Sequence, residues 1–127
     1  MPLVKIEIEK GYSREFLESL IKLTMDCVQT SLHLLPDDRN IRLIEYEKGF
    51  FTMKPPYRII VEVSLFAGRS VETKRNLYKL ITTTLQEQLT IGKEEVFILL
   101  NEQPKENWGI RGGVAACDID LGFKVDI

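Results

Sequence analysis

The sequence predicts an α+β fold: two βαβ units related by a pseudo-twofold axis and joined into a four-stranded mixed sheet with two helices on one face. Three observations carry this. Two stretches alternate apolar and polar residues, Val4/Ile6/Ile8 against Lys5/Glu7/Glu9, and Ile59/Val61/Val63/Leu65 against their neighbours. Two longer stretches place apolar residues at helical spacing. The whole strand–turn–helix–strand pattern then recurs after 57 residues, so that Val4 falls on Val61, Gly11 on Gly68, Ser13 on Ser70, Glu15 on Glu72, Leu20 on Leu77 and Leu43 on Leu100. A βαβ crossover is right-handed with parallel strands.

The first strand, Pro2 to Glu9, has the period of a sheet with one covered face. Ser13 is placed as an N-cap with Glu15 in the first helical turn. The first helix is expected to run to about Leu35, with Leu20, Leu23, Cys27 and Leu34 on its buried stripe and Pro36 as its stop. Cys27 on that stripe reads as a small core residue, and His33 as a solvated or capping side chain. A second strand is expected from Ile41 to Glu47. The stretch from Gly49 through Pro55-Pro56 is either a short hairpin or a crossing loop. The third strand is Ile59 to Phe66, Ser70 is the second N-cap, and the second helix extends to about Thr90, ended by Gly92. The fourth strand is Val96 to Asn101. The whole, residues 1–127, is expected to be a single domain, with repeats at about 2–47 and 58–102 and a tail from 103 to 127. The sheet face away from the helices would be bare, which predicts an oligomer in which another subunit covers it.

Composition narrows the function. With 44% apolar and 28% charged residues and a net charge of −2, nothing favours nucleic acid or anionic membrane as a partner. The longest apolar run, Val96 to Leu100, is far too short to span a bilayer. Charges at Lys5, Glu7 and Glu9 argue against a signal peptide, and a cytoplasmic location is the expectation. Two distant cysteines and a single histidine offer no metal-ligand spacing, so no metal and no cofactor are expected.

Chemistry is expected at the front of the first strand. Loss of Met1 would make Pro2 a terminal secondary amine, with a pKa of about 8 before perturbation. If the two central strands pair antiparallel, Pro2 lies near Leu65 to Arg69. Arg69, just before the second N-cap, can hold a carboxylate in a bidentate fork and depress the pKa of a nearby amine. Asp37 and Asp38 stand in a Pro-Asp-Asp-Arg turn, and Trp108 in a loop-like tail can serve as packing or as a pocket wall.

Residues Met1-Pro2-Leu3-Val4, Pro36-Asp37-Asp38-Arg39, Ala67 to Tyr78, Glu95-Val96-Phe97-Ile98 and Pro104 to Trp108 together resemble the tautomerase superfamily, the 4-oxalocrotonate tautomerase-like (MIF-like) proteins, and most nearly its malonate semialdehyde decarboxylase-like members. The resemblance implies a homotrimer in which each tail reaches a neighbouring subunit. It implies that Pro2 is the general base or acid, that Arg69 binds the carboxylate of a small carboxylic acid substrate, and that Asp38 orients water or tunes the proline. Trp108 would line the pocket. The chain keeps one arginine, Arg69, where the decarboxylase has two; Asn40-Ile41 replaces an aromatic-Gln pair; and Arg111 can supply a further positive charge to the substrate. The implied activity is keto–enol tautomerisation of a small 2-oxo or 2-hydroxy-alkenoic acid. The alternatives are hydration or decarboxylation with Asp38 activating water, and a non-catalytic trimeric binding module.

Overall fold

The computed structural model describes residues 1–127. It contains β1 (Pro2–Glu9), α1 (Arg14–Ser31), β2 (Ile41–Tyr46), β3 (Ile59–Phe66), α2 (Val71–Leu89) and β4 (Val96–Gln103), followed by a tail with two short strands, β5 (Gly109–Ile110) and β6 (Val114–Ala115). The four long strands form one sheet in the order β2-β1-β3-β4. β1 and β2 are parallel, as are β3 and β4, while β1 and β3 run antiparallel with Pro2 opposite Leu65 and Ile8 opposite Ile59. This is the mixed sheet of two pseudo-twofold-related βαβ units that the repeat predicts.

Each helix begins where its serine satisfies a free backbone donor. Ser13 Oγ accepts the Phe16 N–H at 3.1 Å and Ser70 Oγ accepts the Thr73 N–H at 3.1 Å. Both helices lie on the face made by Val4, Ile6 and Ile8 of β1 and Ile59, Val61, Val63 and Leu65 of β3. They bury Leu20, Met25 and Val28 from α1 and Leu77, Ile81 and Leu85 from α2 in that core. Each fully buried aliphatic side chain contributes roughly 1.5–3 kcal/mol. Cys27 belongs to this core as well, and burial raises its thiol pKa, which fits a packing role.

The ends of the helices differ from expectation. α1 stops at Ser31, four residues early. A proline ring collides with the carbonyl four positions back, so Pro36 acts on Leu32 rather than only on its immediate neighbour. Leu32 is the C-cap, and His33 turns the chain in the left-handed region (φ 53°). α2 ends through Thr90, which takes the left-handed C-cap conformation (φ 58°, ψ 32°) expected of Gly92; Gly92 instead opens a short 3₁₀ turn. β2 ends one residue early and β4 runs on to Gln103. The segment between β2 and β3 is a loop without strand.

The sheet face opposite the helices is only partly bare. Lys5 sits between Glu7 and Glu62 along its middle, at 3.8 and 4.0 Å, with exposed Leu3, Ile44, Phe97 and Leu99 around them. At the end where β1 starts and β3 finishes, the tail folds back over its own chain. Phe66, Trp108, Ala116 and Leu121 form a second buried cluster there. Within the subunit the tail thus covers the end of β3.

A β-branched residue in the left-handed region is strained by about 1–2 kcal/mol, and glycine is not. Thr90→Gly is therefore expected to raise stability by about 1 kcal/mol, read as a higher midpoint in urea with unchanged slope.

Candidate active site

The antiparallel register brings four segments to one end of the sheet: the start of β1, the end of β3 with the turn into α2, the loop between α1 and β2, and the tail. The loop is anchored on α1. Arg39 Nη1 reaches Asp26 Oδ1 at 2.8 Å and Gln29 Oε1 at 2.7 Å, which fixes the Asp37-Asp38 turn against the helix end. The hydrogen bond from Lys22, and beside it the bond from Arg39, hold the Asp26 carboxyl below its ordinary pKa.

Asp38 faces the start of β1. Its Oδ2 is ion-paired with the Met1 ammonium, and its Oδ1 accepts from Asn40 Nδ2 at 2.9 Å. The same Asn40 amide also donates to the Pro2 carbonyl at 3.3 Å. Asn40 therefore ties the carboxylate to the first residues of the strand. Pro2 itself is buried and sits opposite Leu65.

Met1 and Asp38 open onto a cavity of about 290 Å³ whose walls also include Asp37, Ile110, Arg111 and Phe123; Pro2 and Asn40 are not among its lining residues. Arg111 is delivered by the β5–β6 turn, in which it takes φ 49° and Gly112 and Gly113 take φ 86° and 85°. Its guanidinium donates to the Asp120 carbonyl at 3.1 Å and to the Leu121 carbonyl at 3.4 Å. Two carboxylates, Asp37 and Asp38, and one guanidinium, Arg111, thus line the cavity.

Arg69 stands apart from this wall. Only 5% of it is exposed. Nη1 donates to the Phe66 carbonyl at 3.1 Å, while Nε and Nη2 are buried without a partner. Burial lowers its pKa, and the charges of Glu102 and Asp38 act in the opposite direction. Leaving such donors unpaired costs about 1–3 kcal/mol or more, so this guanidinium has hydrogen-bonding capacity that the chain does not use. The tail roofs this region: the Ile127 carbonyl accepts from Ser70 N–H at 2.9 Å and from Thr73 Oγ1 at 2.7 Å, and Val125 packs over Gly68.

The structure thus brings Asp38, Arg111 and the front of β1 together and sets Arg69 behind them. Trp108 does not line the cavity as expected. It packs behind the wall on Phe66, with ring centroids 4.7 Å apart, because β3 ends on an aromatic residue that needs covering; its Nε1 is buried and unpaired. Sequence reasoning missed Asn40 as a positioning group, although its departure from the aromatic-Gln pattern marked the position. It also missed Phe123, whose only signal was an aromatic residue in an unassigned tail. No group of three or more His, Cys, Asp or Glu residues is placed to hold a metal ion.

Comparison with known proteins agrees with this architecture. The sequence pattern of a family described as tautomerase enzyme matches residues 38–111, more than half of the chain. Probable tautomerase YusQ of Bacillus subtilis (strain 168) is 28% identical over 123 residues, covering 91% of this chain and 97% of that protein. Among solved structures, Pt0534 inactivated by 2-oxo-3-pentynoate superposes with a TM-score of 0.81 at 25% identity, covering 91% of this chain and 97% of that one. FG41 malonate semialdehyde decarboxylase inhibited by 3-bromopropiolate gives 0.76 at 25% identity, covering 89% and 92%. A fused 4-OT symmetric trimer shares the fold, with a TM-score of 0.80 at 24% identity, covering 91% and 96%. With the strand order, the paired N-caps and the matched segment in agreement, the chain belongs to the tautomerase enzyme family and is similar to its malonate semialdehyde decarboxylase-like members.

Proposed function

We propose that the chain, once Met1 is removed, is a cofactor-independent keto–enol tautomerase acting on a small 2-oxo or 2-hydroxy-alkenoic acid. The observation that carries this reading is the cation at the front of β1, the Met1 ammonium, held against Asp38 at the mouth of a cavity of about 290 Å³. Removal of one residue would put the amine on Pro2, which Asn40 already links to Asp38.

In this reading the neutral Pro2 nitrogen takes the proton from the enol hydroxyl or from the α-carbon of the substrate. The electron pair moves through the conjugated system, and the same proton is returned at the far carbon, so the reaction is balanced without a co-reactant. Arg111 meets the carboxylate at the cavity wall. Arg69 offers its two unpaired donors to the carboxylate or to the developing dienolate, where preorganised donors matter most. The inactivation of Pt0534 by 2-oxo-3-pentynoate supports a 2-oxo acid as the substrate class.

A second reading, hydration or decarboxylation of a 3-oxo or unsaturated acid, draws on Asp38, whose side chain is 15% exposed and faces the cavity beside Asp37. Water activated by that carboxylate would yield a hydrated product or carbon dioxide. We also propose a homotrimer, supported by the exposed Leu3, Ile44, Phe97 and Leu99 of the open sheet face and by the trimeric fused 4-OT.

Pro2→Ala is expected to lower kcat/KM for ketonisation of phenylpyruvate or 2-hydroxymuconate by roughly 10²–10⁴-fold; full retained activity overturns the role of Pro2. Intact-mass measurement is expected to find Met1 absent, and its retention would favour a non-catalytic binding module. Asp38→Asn separates the two enzymatic readings by product analysis. Under the tautomerase reading it alters the pH profile and leaves the product an isomer, whereas release of carbon dioxide or a hydrated product by the parent protein, lost in the variant, favours water activation.

A further inference from the structure

The offset that superposes the two βαβ units continues beyond them. Past β2 and β4 it sets Phe51 on Trp108, Met53 on Ile110 and Lys54 on Arg111. Ahead of the strands it sets Arg58 on Met1 and Glu95 on Asp38, and in the turns into the helices it pairs Tyr12 with Arg69. Contacts repeat as well as positions. Arg58 Nε is ion-paired with Glu95 as the Met1 ammonium is with Asp38, both across 37 residues of chain. Ile59 lies opposite Ile8 as Pro2 lies opposite Leu65. At this opposite end of the sheet there is again a cavity, of about 270 Å³, lined by Glu9, Tyr12, Phe51, Met53, Tyr57 and Arg58. Its counterpart of Pro2 is Ile59, whose nitrogen is locked in a peptide bond. A ligand could be held here, but no amine is available to move its proton.

The charges decide what kind of ligand fits. Arg58 is fixed in place: Nε is engaged by Glu95, Nη1 donates to the Tyr12 hydroxyl at 2.6 Å, and the guanidinium carbon lies 5.5 Å from the Tyr12 ring centroid. Burial draws its pKa down, yet the bonds to Tyr12 and Glu95 outweigh that, and it stays charged. Nη2 has no partner within the chain. Facing the same cavity is Glu9, one of whose oxygens accepts the Gly49 N–H at 3.3 Å while the other is free. A simple carboxylate would meet the repulsion of Glu9, and a simple amine that of Arg58. A zwitterion satisfies both, and besides Tyr12 the walls supply two aromatic rings, Phe51 and Tyr57, and the Met53 thioether for an apolar body.

We propose that this cavity is a second, non-catalytic binding site for an α-amino acid with an apolar or aromatic side chain. Its carboxylate pairs with Arg58, its ammonium with Glu9, and its side chain lies against Phe51 and Tyr57. The site is independent of the chemistry at the front of β1.

Calorimetric titration of the full chain tests this with three probes: L-phenylalanine, 3-phenylpropanoate, which lacks the ammonium, and phenethylamine, which lacks the carboxylate. L-Phenylalanine is expected to bind saturably, and each half-ligand about tenfold or more weakly. Glu9→Gln is expected to weaken L-phenylalanine by about tenfold, while Arg111→Ala, at the other cavity, leaves it unchanged. Because Arg58 also serves the Glu95 pair, Glu9→Gln is the decisive variant. The proposal is overturned by absence of saturable binding of L-phenylalanine, by equal binding of 3-phenylpropanoate, or by binding that survives Glu9→Gln and is lost in Arg111→Ala.

Discussion

The antiparallel pairing of β1 with β3 is the constraint on which the rest of the molecule depends. It is the only contact between strands of the two βαβ units, and it fixes Pro2 against Leu65. Because side chains alternate along a strand, a slip of one residue would exchange Val4, Ile6 and Ile8 for Lys5, Glu7 and Glu9 against the helices. The register is therefore held by the core itself. The same register delivers the front of β1 to the turn carrying Arg69 and to the loop carrying Asp38. The packed register sets where these segments meet, and the Arg39 contacts and the β5–β6 turn then place Asp38 and Arg111 at the cavity.

Electrostatics at that end are arranged around burial. Asp38 is satisfied twice over, by an ammonium and by Asn40, whereas Arg69 retains two buried donors without acceptors. A fold does not ordinarily carry such a deficit, because desolvating a charged donor without compensation is costly. The one acceptor the chain supplies to this guanidinium is the Phe66 carbonyl at the end of β3.

Much of this was legible in the sequence where the signal was local or periodic. β3 falls at Ile59–Phe66 as its alternation requires, and both serines cap their helices as their spacing predicts. The repeat left the pairing of β1 with β3 as a condition, and the register meets it. What was not legible depended on contacts distant along the chain. Nothing near Trp108 says that it covers Phe66, and nothing near Arg111 says that its guanidinium will be held by carbonyls of Asp120 and Leu121. Ion pairs spanning 37 residues leave no local signal in the sequence. The early end of α1 shows a milder failure, in which the right stop signal was read but its reach along the helix was underestimated.

The loop joining β2 to β3 makes no strand, and the two βαβ units are joined in the sheet by the β1–β3 pairing. In packing terms the halves meet as two copies of one protein meet in a closed pair. Covalent fusion changes what such a pair can become. Two identical partners must present identical ends, so any residue altered at one is altered at both. Joined in tandem, one end can keep a reactive nitrogen while the other exchanges it for an inert side chain, and the arrangement that binds can drift free of the arrangement that reacts.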